Sequence, residues 1–236
     1  MQAAGSASGD PVYVEDVFST FLYTGNSSSR SIDNNIDLSG EGGLVWIKDR
    51  SAVEEHVLID SERGVSKGIR SNSDAAEHTD TSSLTSFDND GFSLGTGYSY
   101  FSTNYTGRDY ASWTFRKQEG FFDIVTWTGN GSGDQTISHN LGSTPGFIAV
   151  KALNAASSWR VFHTSTGNTK FGYLNSTGDI SAMADLNWNV TSTTFVADSQ
   201  ISLNTSGRTY VAYLWASGND SASQIFGDDG DEAIIK

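Results

Sequence analysis

Gly107-Arg108-Asp109-Tyr110-Ala111-Ser112-Trp113-Thr114-Phe115 is the stretch from which the fold is read. Tyr110, Ser112 and Thr114 alternate with Ala111, Trp113 and Phe115, the period of two that marks a strand with one face buried. One hundred residues on, the pattern returns in the same phase as Gly207-Arg208-Thr209-Tyr210-Val211-Ala212-Tyr213-Leu214-Trp215. Working outward, Val17-Phe18-Ser19-Thr20-Phe21-Leu22-Tyr23-Thr24-Gly25-Asn26 is answered by Phe121-Phe122-Asp123-Ile124-Val125-Thr126-Trp127-Thr128-Gly129-Asn130, an offset of 104 at Thr24 and Thr128. Gly43-Leu44-Val45-Trp46-Ile47-Lys48 is answered by Gly146-Phe147-Ile148-Ala149-Val150-Lys151, and Phe92 by Phe195, both at an offset of 103. Landmarks that keep their order while the offset drifts slowly define two tandem copies of one unit, 12–117 and 118–217.

Within each copy the local signals are β. Leu44 to Ile47 and Phe147 to Val150 are short apolar runs rich in strand formers, each preceded by glycine. Turn chemistry recurs at Gly25-Asn26-Ser27, Asp90-Gly91 and Ser206-Gly207. Short strands with turns about every ten residues predict an all-β chain of two tandem antiparallel β-sandwich domains, jelly-roll or lectin-like in kind. The polar stretch Ser71 to Ser83 reads as a loop with at most one helical turn, and long helices are not expected.

The chain has 236 residues, 14 basic against 28 acidic, a net charge of −14 and no cysteine. The charge argues against nucleic acid, which requires a basic footprint on phosphates. The missing cysteine removes disulfides, thiolate zinc sites and cysteine nucleophiles. No apolar run approaches the roughly 20 residues of a membrane-spanning helix. Residues 1–11 are small and polar; they lack the features of a secretory signal and read as an arm that orders on contact with a partner. Residues 218–236 read as an acidic linker or the start of a further copy, because Gly230-Asp231 before Ala233-Ile234 imitates Gly9-Asp10 before Val12.

Asp16-Val17-Phe18-Ser19-Thr20, Ile36 to Lys48, Asp60-Ser61-Glu62-Arg63-Gly64, Gly91-Phe92-Ser93-Leu94-Gly95 and Trp113-Thr114-Phe115-Arg116-Lys117 carry a family resemblance. So do Phe121-Phe122-Asp123 and Asn140 to Ile148 in the second copy. Together they resemble a domain widespread in marine and cyanobacterial bacteriophages, found there in tail-fibre and other virion structural proteins. The resemblance covers nearly all of 12–217. It implies a place on the particle and no catalytic residues.

Candidate sites compete with structural readings. Asp60 and Glu62, two apart, offer the paired carboxylates of glycoside hydrolysis; the alternative is pairing with Arg63, Arg50 or Lys48, or capping the turn at Gly64. His56, His78, His139 and His163 have no metal-ligand spacing. A triad drawn through His163, Ser165 and Asp179 lacks a nucleophile elbow. Asp88 and Asp90 in Asp88-Asn89-Asp90-Gly91 are candidate calcium ligands without the EF-hand spacing, and the plainer reading is a turn. The seven Asn-x-Ser/Thr matches, among them Asn26, Asn104, Asn130 and Asn204, read as loop markers. Tyr98, Tyr100, Phe101 and Tyr105 crowd one segment among hydrogen-bonding residues and are the candidate binding residues, able to stack on sugar faces or fill a partner's groove. The competing reading is a strand with Tyr98 and Tyr100 on one face and Phe101 on the other.

The function expected is a virion structural protein, a tail-fibre or capsid-surface module that supports host adsorption. It would contact other virion proteins through the N-terminal arm, assemble as a homo-oligomer, and require no cofactor. The alternatives are a lectin-like module for host glycans and a glycan-degrading enzyme.

Overall fold

A computed structural model describes residues 12–97 and 99–217 of the chain. The arm 1–11, the tail 218–236 and the candidate Tyr98 lie outside the described residues. The first half contains β1 (Phe18–Thr24), β2 (Arg30–Asp33), β3 (Gly43–Asp49), β4 (Val57–Asp60), β5 (Lys67–Ile69), β6 (His78–Thr79), β7 (Leu84–Phe87), β8 (Gly91–Leu94) and β9 (Asp109–Arg116). The second contains β10 (Phe122–Thr128), β11 (Gln135–Ser138), β12 (Pro145–Ala152), β13 (Arg160–His163), β14 (Lys170–Phe171), β15 (Ser181–Ala182), β16 (Thr194–Ala197) and β17 (Thr209–Ala216). Apart from two single 3₁₀ turns, Val14–Asp16 and Thr164–Thr166, the described regular structure is strand. The chain is all-β, and its strand pairs are antiparallel.

The strand order repeats. One large sheet runs β1-β9-β3-β4-β5-β6 and the other β10-β17-β12-β13. Each half then lays a small sheet over its large one, β2-β8-β7 in the first and β11-β16 in the second. Even the cross-strand pairs correspond: Ile32 opposes Phe92, and Ile137 opposes Phe195. The pleat decides where the side chains go. Along β3, Val45 and Ile47 point into the core shared with the small sheet, beside Ile32, Phe92 and Leu94. Along β17, Tyr210, Ala212, Leu214 and Ala216 do the same beside Ile137 and Phe195.

The opposite faces of the large sheets pack on each other. Leu44, Leu58 and Ile69 of the first half and Phe122, Ala149, Val211 and Tyr213 of the second form one buried cluster. The result is four layers with three apolar cores. The contacts fix the crossing. Phe115, Leu44 and Asp60 lie in one row across β9, β3 and β4. Trp215 of β17 meets Phe115 at 5.6 Å between ring centroids, while Tyr213, two residues earlier, bonds Asp60 two strands away. β17 therefore runs across the first sheet's strands, the orthogonal mode of sheet packing. Seven of the eight residues of β17 are buried as a consequence. A period-two pattern with one buried face thus covers a strand buried on both, because Val211, Tyr213 and Trp215 find their partner in the other half.

The same turn lock closes both halves. Gly25 N and Gly129 N each donate 2.8 Å to the carbonyls of Arg108 and Arg208. A Cβ on Gly25 would stand 2.2 Å from Tyr105 O, and one on Gly129 2.3 Å from Thr205 O, so only glycine admits this approach. Asn104 and Asn204 then bridge the loops: Asn104 Nδ2 donates to Ser28 O and Gly95 O, and Asn204 Nδ2 to Asn130 Oδ1 and Gly133 O, all at 2.8 Å. Asn104 is 0% and Asn204 2% exposed. These two are buried cross-links and not the surface loop markers that their Asn-x-Ser/Thr context suggests.

The 71–83 stretch forms the two-residue strand β6 and no helical turn. It clasps the other half instead: Glu77 N donates to Leu153 O, and Ser157 N to Asp74 O, both at 2.8 Å.

Candidate functional site

The aromatic segment does not present one platform. Phe101 is 2% exposed, its ring lies on Gly68, and its N–H donates 3.0 Å to Asp80 Oδ2. It is a core residue, so its place among the binding candidates is corrected: the β5 glycine leaves a hole that the ring fills. Tyr100 is exposed, stacked on His78 at 3.6 Å, and its hydroxyl accepts from Arg70 Nη1 at 3.0 Å. Tyr105 lies elsewhere, under the Arg108 guanidinium at 4.5 Å. Tyr100 and Tyr105 each already have a cation over the ring.

Asp60 and Glu62 do not face each other across a cleft. Asp60 ends β4 and is 0% exposed; Glu62 belongs to the turn and bonds Lys117 Nζ at 2.6 Å. Asp60 Oδ2 accepts from Arg63 Nε at 2.6 Å and from Tyr213 Oη at 2.7 Å, and Asp60 Oδ1 from Arg63 N at 3.0 Å. Arg63 reaches on to Glu77 Oε2 at 3.1 Å and to Leu58 O at 3.2 Å. Burial opposes charge on Arg63, but Asp60, Tyr213 and Glu77 outweigh it and raise the guanidinium above its ordinary value. Burial likewise pushes the Tyr213 phenol well up, keeping it a neutral donor. The arrangement is a satisfied ion network that rivets the two sheets, with its acid already committed.

Lys151 is the second polar rivet. It is 0% exposed and donates to Ala152 O at 2.9 Å and to Asp74 O of the other half at 3.1 Å. Burial lowers its pKa from 10.5 to about 8, with the Asp74 charge opposing and Arg208 adding to the shift. Between those values the unfolded chain holds the proton that the folded chain has released. This group's contribution to stability therefore rises with pH across that window. Lys151→Met is expected to flatten this part of a urea-unfolding pH profile relative to the unsubstituted chain.

His163 caps the short 3₁₀ turn, its Nδ1 2.9 Å from Ser165 Oγ and accepting from Ser165 N at 3.1 Å; Asp179 makes no bond to it among the described residues. Asp88 Oδ2 accepts from Ser93 Oγ at 2.7 Å, and the Asp88 and Asp90 carbonyls hold the chain at 34–39. Among the described residues no group of three or more His, Cys, Asp or Glu is placed to hold a metal ion.

An aromatic slot lies on the same face of the first large sheet, at the edge of the contact that Phe115 makes with Trp215 of β17. It measures about 350 Å³ and is lined by Trp46, His56, Trp113 and Phe115. Trp46 and Trp113 are register partners on β3 and β9, so both indoles project from the same face. Their rings meet edge to face, 6.1 Å apart at 69°. Trp46 Nε1 donates 2.9 Å to His56 Nδ1. Burial and the neighbouring Lys48 lower the His56 pKa, which keeps the imidazole neutral. The signal available in the sequence was tryptophan in the outward phase of two strands; that the strands are neighbours depends on a pairing across 67 residues.

No curated protein and no solved structure matches the chain significantly. One family profile does, and its single match runs through both halves. Over residues 14–223 the chain belongs to the family described as a domain of unknown function, DUF7483.

Proposed function

We propose that the chain is a structural module of a bacteriophage virion, a tail-fibre or capsid-surface element that projects from the particle and supports host adsorption. The observation that carries this reading is the weld between the halves: a continuous apolar layer, a buried ion network and backbone bonds from 74–77 to 153–157. A projecting element has to transmit its orientation without a hinge, and such an interface suits it. The phage resemblance supplies the particle. The acids that would serve hydrolysis are committed to pairing, which favours a scaffold over an enzyme. Other virion proteins held by residues 1–11 and further copies of this chain are its proposed partners, and the particle surface is its proposed location.

The test is labelling of purified phage particles with an antibody raised against residues 12–217, read by electron microscopy. Label at tail fibres or on the capsid surface is expected. Label absent from intact particles and confined to infected-cell lysate would overturn the assignment. The second reading, a lectin-like module, is favoured by one observation, the half-buried pair Trp46 and Trp113.

A further inference from the structure

The corresponding edge strands of the two halves are finished differently. β1 and β10 each lie at the end of their large sheet, paired on one side only, with β9 and β17. The segment before β10 closes the start of its open side: Phe122 N donates to Gln118 O at 3.1 Å, and Phe122 O accepts from Gln118 N at 3.0 Å. Ile124 N donates to Asp123 Oδ1 at 2.9 Å. β1 has no such cover among the described residues. Gly25 N bonds Arg108 O and Arg116 N bonds Val17 O, so the odd-numbered residues of β1 face β9. By antiparallel alternation the N–H and C=O groups of Phe18, Thr20 and Leu22 point away from the sheet. The Leu22 side chain is 59% exposed beside them. We propose that β1 pairs with β1 of a second copy of the chain, antiparallel and about a two-fold axis through Thr20. This rests on the reading that further copies of the chain are its partners, and gives that assembly its surface.

Edge strands are normally kept from one another by lysine, proline, inward charges or bulges. Phe18–Thr24 has no charged residue and no proline, and its register with β9 runs unbroken. In a chain of net charge −14 the neutral strand is where two copies can meet without opposing charges. Pairing about Thr20 sets Phe18 against the partner's Leu22, Thr20 against the partner's Thr20, and Leu22 against the partner's Phe18. Each pair exchanges two N–H···O bonds, which satisfies every open backbone group on these residues. The exposed leucine gains an aromatic neighbour and two threonines meet, both favourable cross-strand pairs. An axis through Phe21 would instead set Leu22 against threonine and call on Thr24, whose carbonyl already accepts from Arg30 Nη1 at 2.7 Å. This self-complementarity selects a second copy over an unrelated strand, and a two-fold contact closes at two chains. A seam one strand long is small beside the roughly 800 Å² per partner of a stable interface, so the dimer is weak in dilute solution. Crowding on a particle would favour it.

The experiment is analytical ultracentrifugation of the full chain from low micromolar to near-millimolar concentration, in low and in high salt. A reversible monomer–dimer equilibrium with no larger species is expected. It should be stronger in high salt, because screening removes the repulsion between two acidic copies. Thr20→Pro removes an N–H on the open side and none that β9 uses, so it is expected to fold and to weaken association about tenfold or more. Ile180→Ser, at a side chain 55% exposed in the second half, is expected to leave association unchanged. Hydrogen exchange at the Thr20 and Leu22 amides is expected to slow as concentration rises. A chain that stays monomeric throughout overturns the proposal, as does association that Thr20→Pro leaves intact or that high salt dissolves. Protection of the two amides that does not depend on concentration also overturns it, because a segment of the same chain would then occupy the edge. Should Thr20→Pro not fold, Leu22→Glu, at a side chain already in solvent, replaces it with the same expected result. No particle enters these measurements, so their failure leaves the virion assignment standing, and an unlabelled particle leaves the dimer standing.

Discussion

Arg63→Met is expected to destabilise the chain by about 3–5 kcal/mol, measured by urea unfolding at neutral pH. Arg63 has 3% of its side chain exposed, and its guanidinium meets Asp60, Glu77, the Leu58 carbonyl and the Tyr213 hydroxyl. Methionine fills much of the volume but leaves the 0% exposed Asp60 carboxylate with only Tyr213 Oη and a backbone N–H. Most of the cost comes from that stranded charge, because buried pairs gain little over well-packed apolar replacements. Converting the cluster together, with Asp60→Leu, Arg63→Met and Tyr213→Phe, should therefore cost less than Arg63→Met alone. If the triple variant is the less stable of the two, stranded charge is not the cause.

Trp159→Ala is expected to cost about 3–5 kcal/mol as well, by a different route. Trp159 is 0% exposed in the layer between the halves, stacks 6.1 Å from Tyr213, and donates through Nε1 to Arg70 O at 2.9 Å. Truncation opens a cavity at the seam and orphans a carbonyl of the first half. Both losses fall on the contact between halves, so the variant should also broaden the unfolding transition as the halves begin to uncouple. Loss of stability with an unchanged, single sharp transition would mean that the halves stay coupled without Trp159.

The landmarks paired between 12–117 and 118–217 occupy matching environments, because they sit where backbone geometry demands them. Gly25 and Gly129 lie against a carbonyl, Tyr110 and Tyr210 stack beneath their turns, and Ile32 and Ile137 oppose phenylalanine across a small sheet. The sheet-on-sheet contact was not legible. Alternation along β17 shows that Tyr213 and Trp215 share a face, but the residues that cover them, Asp60 and Phe115, lie about one hundred or more positions earlier. Candidate residues fared according to how local their environment is. Crowding of aromatics at 98–105 is a sequence property, yet Gly68 on a distant strand turns Phe101 inward. Trp46 and Trp113 carry no local mark at all and meet only through strand register.

The central claim is that the two sandwiches fold as one body through their shared layer. Differential scanning calorimetry of residues 12–217 tests it most directly. A single transition whose calorimetric and van't Hoff enthalpies agree is the result expected of that shared core. Two resolved transitions, each the size of a hundred-residue sandwich, would contradict it and return the halves to independent modules on a linker.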